Sequence, residues 1–225
     1  MSSDAESPAA TGPWTGSVGG RQPFARRVIK AVLGPYARAW HALQLEGREN
    51  LPAHGPALFL LNHASLLDVP MLMVVDPYPD TVTLVKASLF KVPIVRFALR
   101  QWGAIPVDRQ GRDTAGIRLL LRHLQAGRVV AVAAEGRRTR TGRLGPIHPV
   151  LARIATGAGV PLIPVGIVGS FQALPPGRLL PRRHKILVRI GRCFQLPRDM
   201  DGETAARRIR QEIAALLPPS QQPLD

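Results

Sequence analysis

In the stretch ALFLLNHASLLDVP, a histidine, His63, stands five positions before an aspartate, Asp68. Imidazole titrates near ~6.5, so it can take a proton from a neutral hydroxyl around neutral pH. A carboxylate on the other ring nitrogen fixes the tautomer and stabilises the imidazolium that forms. The two residue types together make a general base that turns an alcohol into a nucleophile. Five residues turn a helix through about 500°, roughly 140° away from facing, so one continuous helix cannot join the pair. A strand end that bends into a helix before Pro70 can, and open α/β sheets place ligands at such ends. Spacing alone decides nothing, because His41 stands five positions before Glu46. Only His63 follows an apolar run and sits among Asn62, Ala64 and Ser65.

The elements that must position this pair are legible from pattern. The runs 57–62, 81–86, 104–109, 129–135, 160–168 and 185–191 are short, β-branched and largely apolar throughout. Such runs suit strands buried on both faces. Between them, 113–125 places Ile117, Leu120, Leu121 and Leu124 on one helical face ahead of Gly127. A last helix is expected over 203–217, ended by Pro218-Pro219. This alternation predicts an α/β domain with a largely parallel sheet. Ahead of it, Phe24, Val28, Val32, Tyr36 and Trp40 recur every fourth residue, with Arg26, Arg27, Lys30 and Arg38 on other faces. That pattern predicts amphipathic helices over 24–43, interrupted or kinked at Gly34-Pro35. They would pack on the core through the stripe or lie in a membrane interface with their cations on headgroups.

The 225 residues suffice for one sizeable core, with residues 21–225 expected as a single domain and 1–20 as a disordered tail. The lone Cys193 cannot form an internal disulfide, and it reads as a small strand residue. No Cys/His cluster has metal-ligand spacing, so neither a metal nor a bound cofactor is expected. Residues 154–177 lack a formal charge over a length that could span a bilayer, but Gly and Pro break them repeatedly. They read as a helix end, a buried strand and a turn. A net charge of +15 attracts an anionic membrane face or phosphorylated ligands. A nucleic-acid partner is disfavoured, since no aromatic–basic interleaving, zinc pattern or basic heptad region is present. A serine hydrolase is disfavoured too, because there is no G-x-S-x-G elbow, and Ser65 and Ser88 read as structural.

Four blocks in order, NHASLLDVP, then KASLFKVPIVRFALRQWGAIPVDR, then AAEGRRT, then VPLIPVGIVG, resemble those of the glycerolipid acyltransferase family. That family includes the 1-acyl-glycerol-3-phosphate acyltransferases, and the likeness covers residues 57–170. It implies a mixed, mostly parallel sheet flanked by helices and direct acyl transfer, without an acyl-enzyme, from acyl-CoA or acyl carrier protein. The acceptor would be a lysophospholipid, and the setting peripheral, on the cytoplasmic face of a membrane. The resemblance assigns the catalytic pair to His63 and Asp68. It assigns substrate binding to Lys86, Arg109, Glu135, Gly136, Arg137, Arg138 and Thr139, and the fourth block's proline to Pro164. A phosphate dianion needs fixed cations and backbone donors, which Lys86, Arg109 and Arg138 near strand ends would supply. Glu135 would hold the arginines in place or be a plain surface acid. Arg137 and Arg140 also read as solvated charge, and Thr139 as a turn cap. The third block departs from the family pattern at Ala133-Ala134, at Arg137 and at 147–150. Those departures bear on the acceptor, leaving a lyso-ornithine lipid, a glycosylated glycerolipid or a catalytically silent lipid-binding role as alternatives.

Overall fold

The computed structural model describes residues 23–53, 55–107 and 114–224. The tail over 1–20 and Arg109 lie outside the described residues. Among the described residues, seven strands form one sheet: β1 (Gln44–Glu46), β2 (Ala57–Leu61), β3 (Val82–Lys86), β4 (Ile105–Val107), β5 (Val129–Ala133), β6 (Leu162–Val168) and β7 (Leu187–Ile190). Their order is β1-β7-β6-β2-β5-β3-β4. Neighbours run parallel throughout except β6 and β7, which are antiparallel.

The central strand β2 shows why its run is apolar without alternation. Leu58 and Leu60 enter one core, with Val130, Val132 and Leu162, while Phe59 and Leu61 enter the other, with Ala131 and Val165. Both faces are therefore dry, and period-two patterning disappears. The first core is closed by α4 (Thr114–Gln125), α5 (Pro149–Ala158) and α7 (Gly202–Ala214). The second is closed by α2 (Asp68–Val75) and by Ala37 of α1 (Phe24–His41). Two further helices, α3 (Pro93–Gln101) and α6 (Ser170–Ala173), follow β3 and β6 respectively. α7 starts on Asp201, whose side chain accepts from the amides of Glu203 and Thr204 at 3.0 and 2.9 Å.

Several boundaries differ from expectation. β1 had no sequence signal, because three residues on a half-wet edge carry no run. Of the two forms expected, two short helices or one kinked helix, the N-terminal segment is a single helix with Pro35 inside it. Pro35 forfeits a single backbone bond, and the helix ends at His41, turned out by Ala42 at φ 43°. Its outward face is the apolar one. Phe24, Val28, Val32, Tyr36 and Trp40 are exposed, whereas Arg26, Ala37 and His41 are buried. Buried Arg26 donates to the carbonyls of Thr81 and Trp102 at 2.8 and 2.6 Å, and Lys30 donates to the Asp76 carbonyl. Polar bonds thus fasten α1 while its stripe faces away from the core. The uncharged stretch 154–177 resolves into the end of α5, β6 and α6, and no described helix is long and apolar enough to cross a membrane. Cys193 lies just past β7 and is exposed, not in a strand.

Candidate active site

β2, β5 and β3 run parallel to one another and to β6, so their C-terminal ends share one edge of the sheet. Asn62 anchors the chain where it leaves β2. Its side chain is buried, donates to the Ile167 carbonyl at 3.0 Å and accepts from the Ile167 amide at 2.7 Å. The next residue is His63, and a short turn then brings Asp68 in as the first residue of α2. The His63 Nδ1 and Asp68 Oδ2 lie 2.9 Å apart. Strand end, turn and helix start thus bridge the spacing that a continuous helix could not.

Asp68 does more than face the imidazole. The same Oδ2 accepts from the amides of Ala64 and Ser65, each at 2.8 Å. The carboxylate therefore folds the loop around itself and is pinned by that loop. Its Oδ1 is buried without a hydrogen-bond partner among the described residues. With Nδ1 donating to Asp68, Nε2 is left as the acceptor, the tautomer a base requires. Ser65, read as structural, donates from Oγ to the Leu174 carbonyl at 2.9 Å and so ties this loop to the chain after α6.

Glu135 sits on the turn after β5 and is buried. Its Oε1 accepts from the His63 amide and its Oε2 from the Gly145 amide, both at 2.9 Å. Burial pushes its carboxyl up, with the two amide bonds opposing. It does not hold arginine side chains and is not a surface acid. It staples the His63 loop to the turn beyond β5, because a buried carboxylate needs donors and the nearest are backbone amides. Gly136 takes φ 69°, and a Cβ there would meet the His148 ring at 3.1 Å, so its need for glycine comes from the turn. Thr139 donates from its amide to the His63 carbonyl at 2.8 Å, a second bond between the two loops. Its hydroxyl accepts from the Thr141 amide at 3.3 Å, the turn-capping role.

The cations separate. Lys86 ends β3 at the same sheet edge and is exposed. Arg138 is half-buried and immediately precedes Thr139, which places its backbone beside His63. Arg137 and Arg140 are exposed. Pro164 lies inside β6, paired in register with Leu60, and belongs to the sheet rather than to the site. The competing pair does not form: buried His41 contacts the Tyr36 hydroxyl and the His184 carbonyl, and Glu46 pairs with Arg189. No group of His, Cys, Asp or Glu that could hold a metal occurs among the described residues.

A histidine thus stands at the C-terminal edge of a mostly parallel sheet, with a carboxylate behind it and the backbone of Arg138 and Thr139 beside it. The model of the family described as Acyltransferase matches residues 42–168, from β1 through β6. The chain belongs to the acyltransferase family. It is 27 % identical over 160 residues to the chloroplastic 1-acyl-sn-glycerol-3-phosphate acyltransferase BAT2 of Brassica napus, an alignment covering 70 % of this chain and 46 % of that protein. It is 31 % identical over 185 residues to an uncharacterized protein of Mycobacterium leprae, covering 73 % and 47 %. The chain therefore spans about half the length of these relatives. Among solved structures, the 1-acyl-sn-glycerophosphate (LPA) acyltransferase PlsC of Thermotoga maritima shares the fold, with a TM-score of 0.69. That match is 23 % identical and covers 84 % of this chain and 76 % of that one.

Sequence reasoning missed the residues that hold the site together. Asn62 was visible only as context for His63. The Ala64, Ser65 and Gly145 amides carry no side-chain signal, and their part appears only once Asp68 and Glu135 are seen buried.

Proposed function

We propose that the protein transfers a fatty acyl group from acyl-CoA or acyl carrier protein to the free hydroxyl of a lysophospholipid, with 1-acyl-glycerol-3-phosphate as acceptor and phosphatidic acid as product. The observation that carries this reading is the buried His63–Asp68 contact at 2.9 Å, beside a turn that presents Arg138. The acceptor oxygen attacks the thioester carbonyl carbon as His63 Nε2 takes its proton. Asp68 stabilises the imidazolium, the tetrahedral intermediate collapses, the C–S bond breaks, and the proton passes to the departing thiolate. Lys86 and Arg138 hold the acceptor phosphate, supplying charge-assisted bonds at two points. The names of the chloroplastic relative and of the Thermotoga protein support this acceptor class. The exposed stripe of α1 lies on an anionic membrane, with Arg27 and Arg38 on its headgroups, so the enzyme is peripheral on the cytoplasmic face, where the donor is found.

The test is transfer from labelled acyl-CoA, and separately from acyl carrier protein, to a panel of lyso-lipids. Lysophosphatidic acid should be the best acceptor. Lys86→Ala and Arg138→Ala should each raise its KM by roughly 10- to 150-fold, the worth of a charge-assisted bond, while leaving the donor's KM within about twofold. Preference for a lyso-ornithine lipid or a glycosylated acceptor would overturn the assignment of the head group. No transfer to any acceptor would overturn the reaction.

A further inference from the structure

The chain between α6 and β7 carries the most exposed large apolar side chain of the described residues, Leu179, at 94 % exposure. Its neighbour Leu180 is 79 % exposed. Pro175, Pro176 and Pro181 bracket the two leucines, so the backbone that presents them is stiff. The loop is closed at its root. Arg182 donates from its amide to the Ala173 carbonyl at 2.7 Å. Gly169, at φ 85°, lies so close to the Lys185 carbonyl that a Cβ would come within 2.1 Å of its oxygen.

Both sides of that root are bonded to elements already described. The Leu174 carbonyl accepts from Ser65 of the His63 loop at 2.9 Å. The His184 carbonyl accepts from His41, the last residue of α1, at 3.0 Å, and the Ile186 amide donates to the His41 carbonyl at 2.8 Å. The exposed leucines therefore rise from the sheet edge that carries His63, beyond the C-terminal end of α1. Leu66, inside the His63 loop, is exposed as well. Charge completes the picture. Arg178, Arg182, Arg183 and Lys185 flank the tip, and no Asp or Glu occurs anywhere from Gly136 to Arg198.

We propose that the loop 175–185 is a membrane-insertion element. Leu179 and Leu180 enter the acyl boundary of an anionic bilayer, and the neighbouring arginines lie on its phosphates. This rests on the reading that the acceptor is a membrane lipid, and it adds what α1 cannot supply. A single helix lying in the interface leaves the body free to roll about its axis. A second anchor past the helix end fixes that roll and turns the His63 edge toward the lipid.

The experiment is sedimentation of the full chain with phosphatidylcholine vesicles, with and without phosphatidylglycerol. Leu179→Ser with Leu180→Ser should cut partition onto the mixed vesicles about tenfold, as expected for withdrawing two partly inserted leucines. The melting temperature should not change, because neither side chain is packed. Arg182→Gln with Arg183→Gln should weaken binding to the anionic vesicles and leave the neutral ones unaffected. Transfer to vesicle-embedded lysophosphatidic acid should fall with the leucine pair, while transfer to a short-chain acceptor below its micellar concentration should not. Undiminished vesicle binding by the leucine variant overturns the proposal. So does an equal loss on the monomeric acceptor. A change of oligomeric state with vesicle binding intact would assign the leucines to a contact between copies and overturn it too. If no lyso-lipid is acylated at all, the acyl-transfer reading fails while the vesicle measurements still decide the loop.

Discussion

Asp68→Asn separates two things a carboxylate does behind a histidine, holding it and opposing its charge. Asp68 Oδ2 accepts from His63 Nδ1 at 2.9 Å and from the Ala64 and Ser65 amides at 2.8 Å each. An asparagine oxygen in that position keeps all three donors satisfied. The two amides force this choice, because a rotated NH2 would point donors at donors. In a protease triad, where nothing pins the amide so, the same substitution imposes the wrong tautomer and costs about 10⁴-fold. Here the tautomer should survive and only the charge is lost. A bond to a charged group is worth ~1.5–3 kcal/mol against ~0.5–1.5 for a neutral one, so turnover should fall about tenfold. The NH2 takes the place of Oδ1, buried with no partner among the described residues. An orphaned donor costs about 1–3 kcal/mol, and in a chain of this size that lowers the melting temperature by roughly 2–12 °C. Asp68→Ala, which strands three donors, should lose more on both counts. The assay is initial rate at saturating acceptor alongside thermal unfolding of the same preparations. A 10⁴-fold loss in a folded Asn variant would show that the loop amides do not fix the side chain. Wild-type turnover would show that the carboxylate charge plays no part.

His63→Ala should lower turnover at least ~10²-fold in protein that unfolding curves show to be folded at the assay temperature. His41→Ala should leave turnover on a dispersed acceptor within about twofold yet unfold earlier, since it empties a buried site bonded to Tyr36 and His184. Glu135→Gln should destabilise by about 1–3 kcal/mol, measured by denaturant unfolding, because one of two amides loses a carboxylate oxygen and meets an NH2 instead. Burial, opposed by the Tyr78 amide and the nearby Lys30 and Arg26, pushes Asp76 from the usual 3.8 up to about 6. The folded state then holds that proton more tightly than the unfolded chain. Stability should fall on the order of 2–3 kcal/mol as pH rises from about 4 to about 6, and stay lower above it. Asp76→Asn should flatten that slope in unfolding curves taken across the window.

The strands were legible where burial on both faces made their runs continuous, as in β2, β5 and β6. The edge strand β1 was not, since its three residues alternate with solvent and resemble loop. Periodicity found α1 but could not say which side of it faces the protein. An apolar stripe normally marks the packed face, and here Arg26 and Lys30 reverse that by bonding to carbonyls at the turn after α2 and at the end of α3. His63 and Asp68 were legible because strand end, turn and helix start each leave a sequence signal. Glu135 was found as a residue and misjudged as to its work. Its neighbours Arg137 and Arg138 suggested ionic partners, whereas its burial made backbone amides the partners that count.

That reversal gives the third block a physical sense. Glu135, Gly136 and Thr139 all act on backbone: one bonds the His63 amide, one makes the turn, and one bonds the His63 carbonyl. What they fix is the loop, and a loop fixed through its backbone tolerates change in the side chains around it. The departures at Ala133-Ala134 fall on such positions. Ala133 closes β5 against Leu61, and Ala134 is fully buried, its amide donating to the Leu61 carbonyl and its own carbonyl accepting from His148. Ala134, being fully buried, does not change what reaches solvent at the site. Arg137 does, because it is exposed one residue before Arg138. The scaffold around the base is thus independent of the one substitution that adds an exposed cation one residue before Arg138, so on the proposed reading the chemistry can be kept while the acceptor changes.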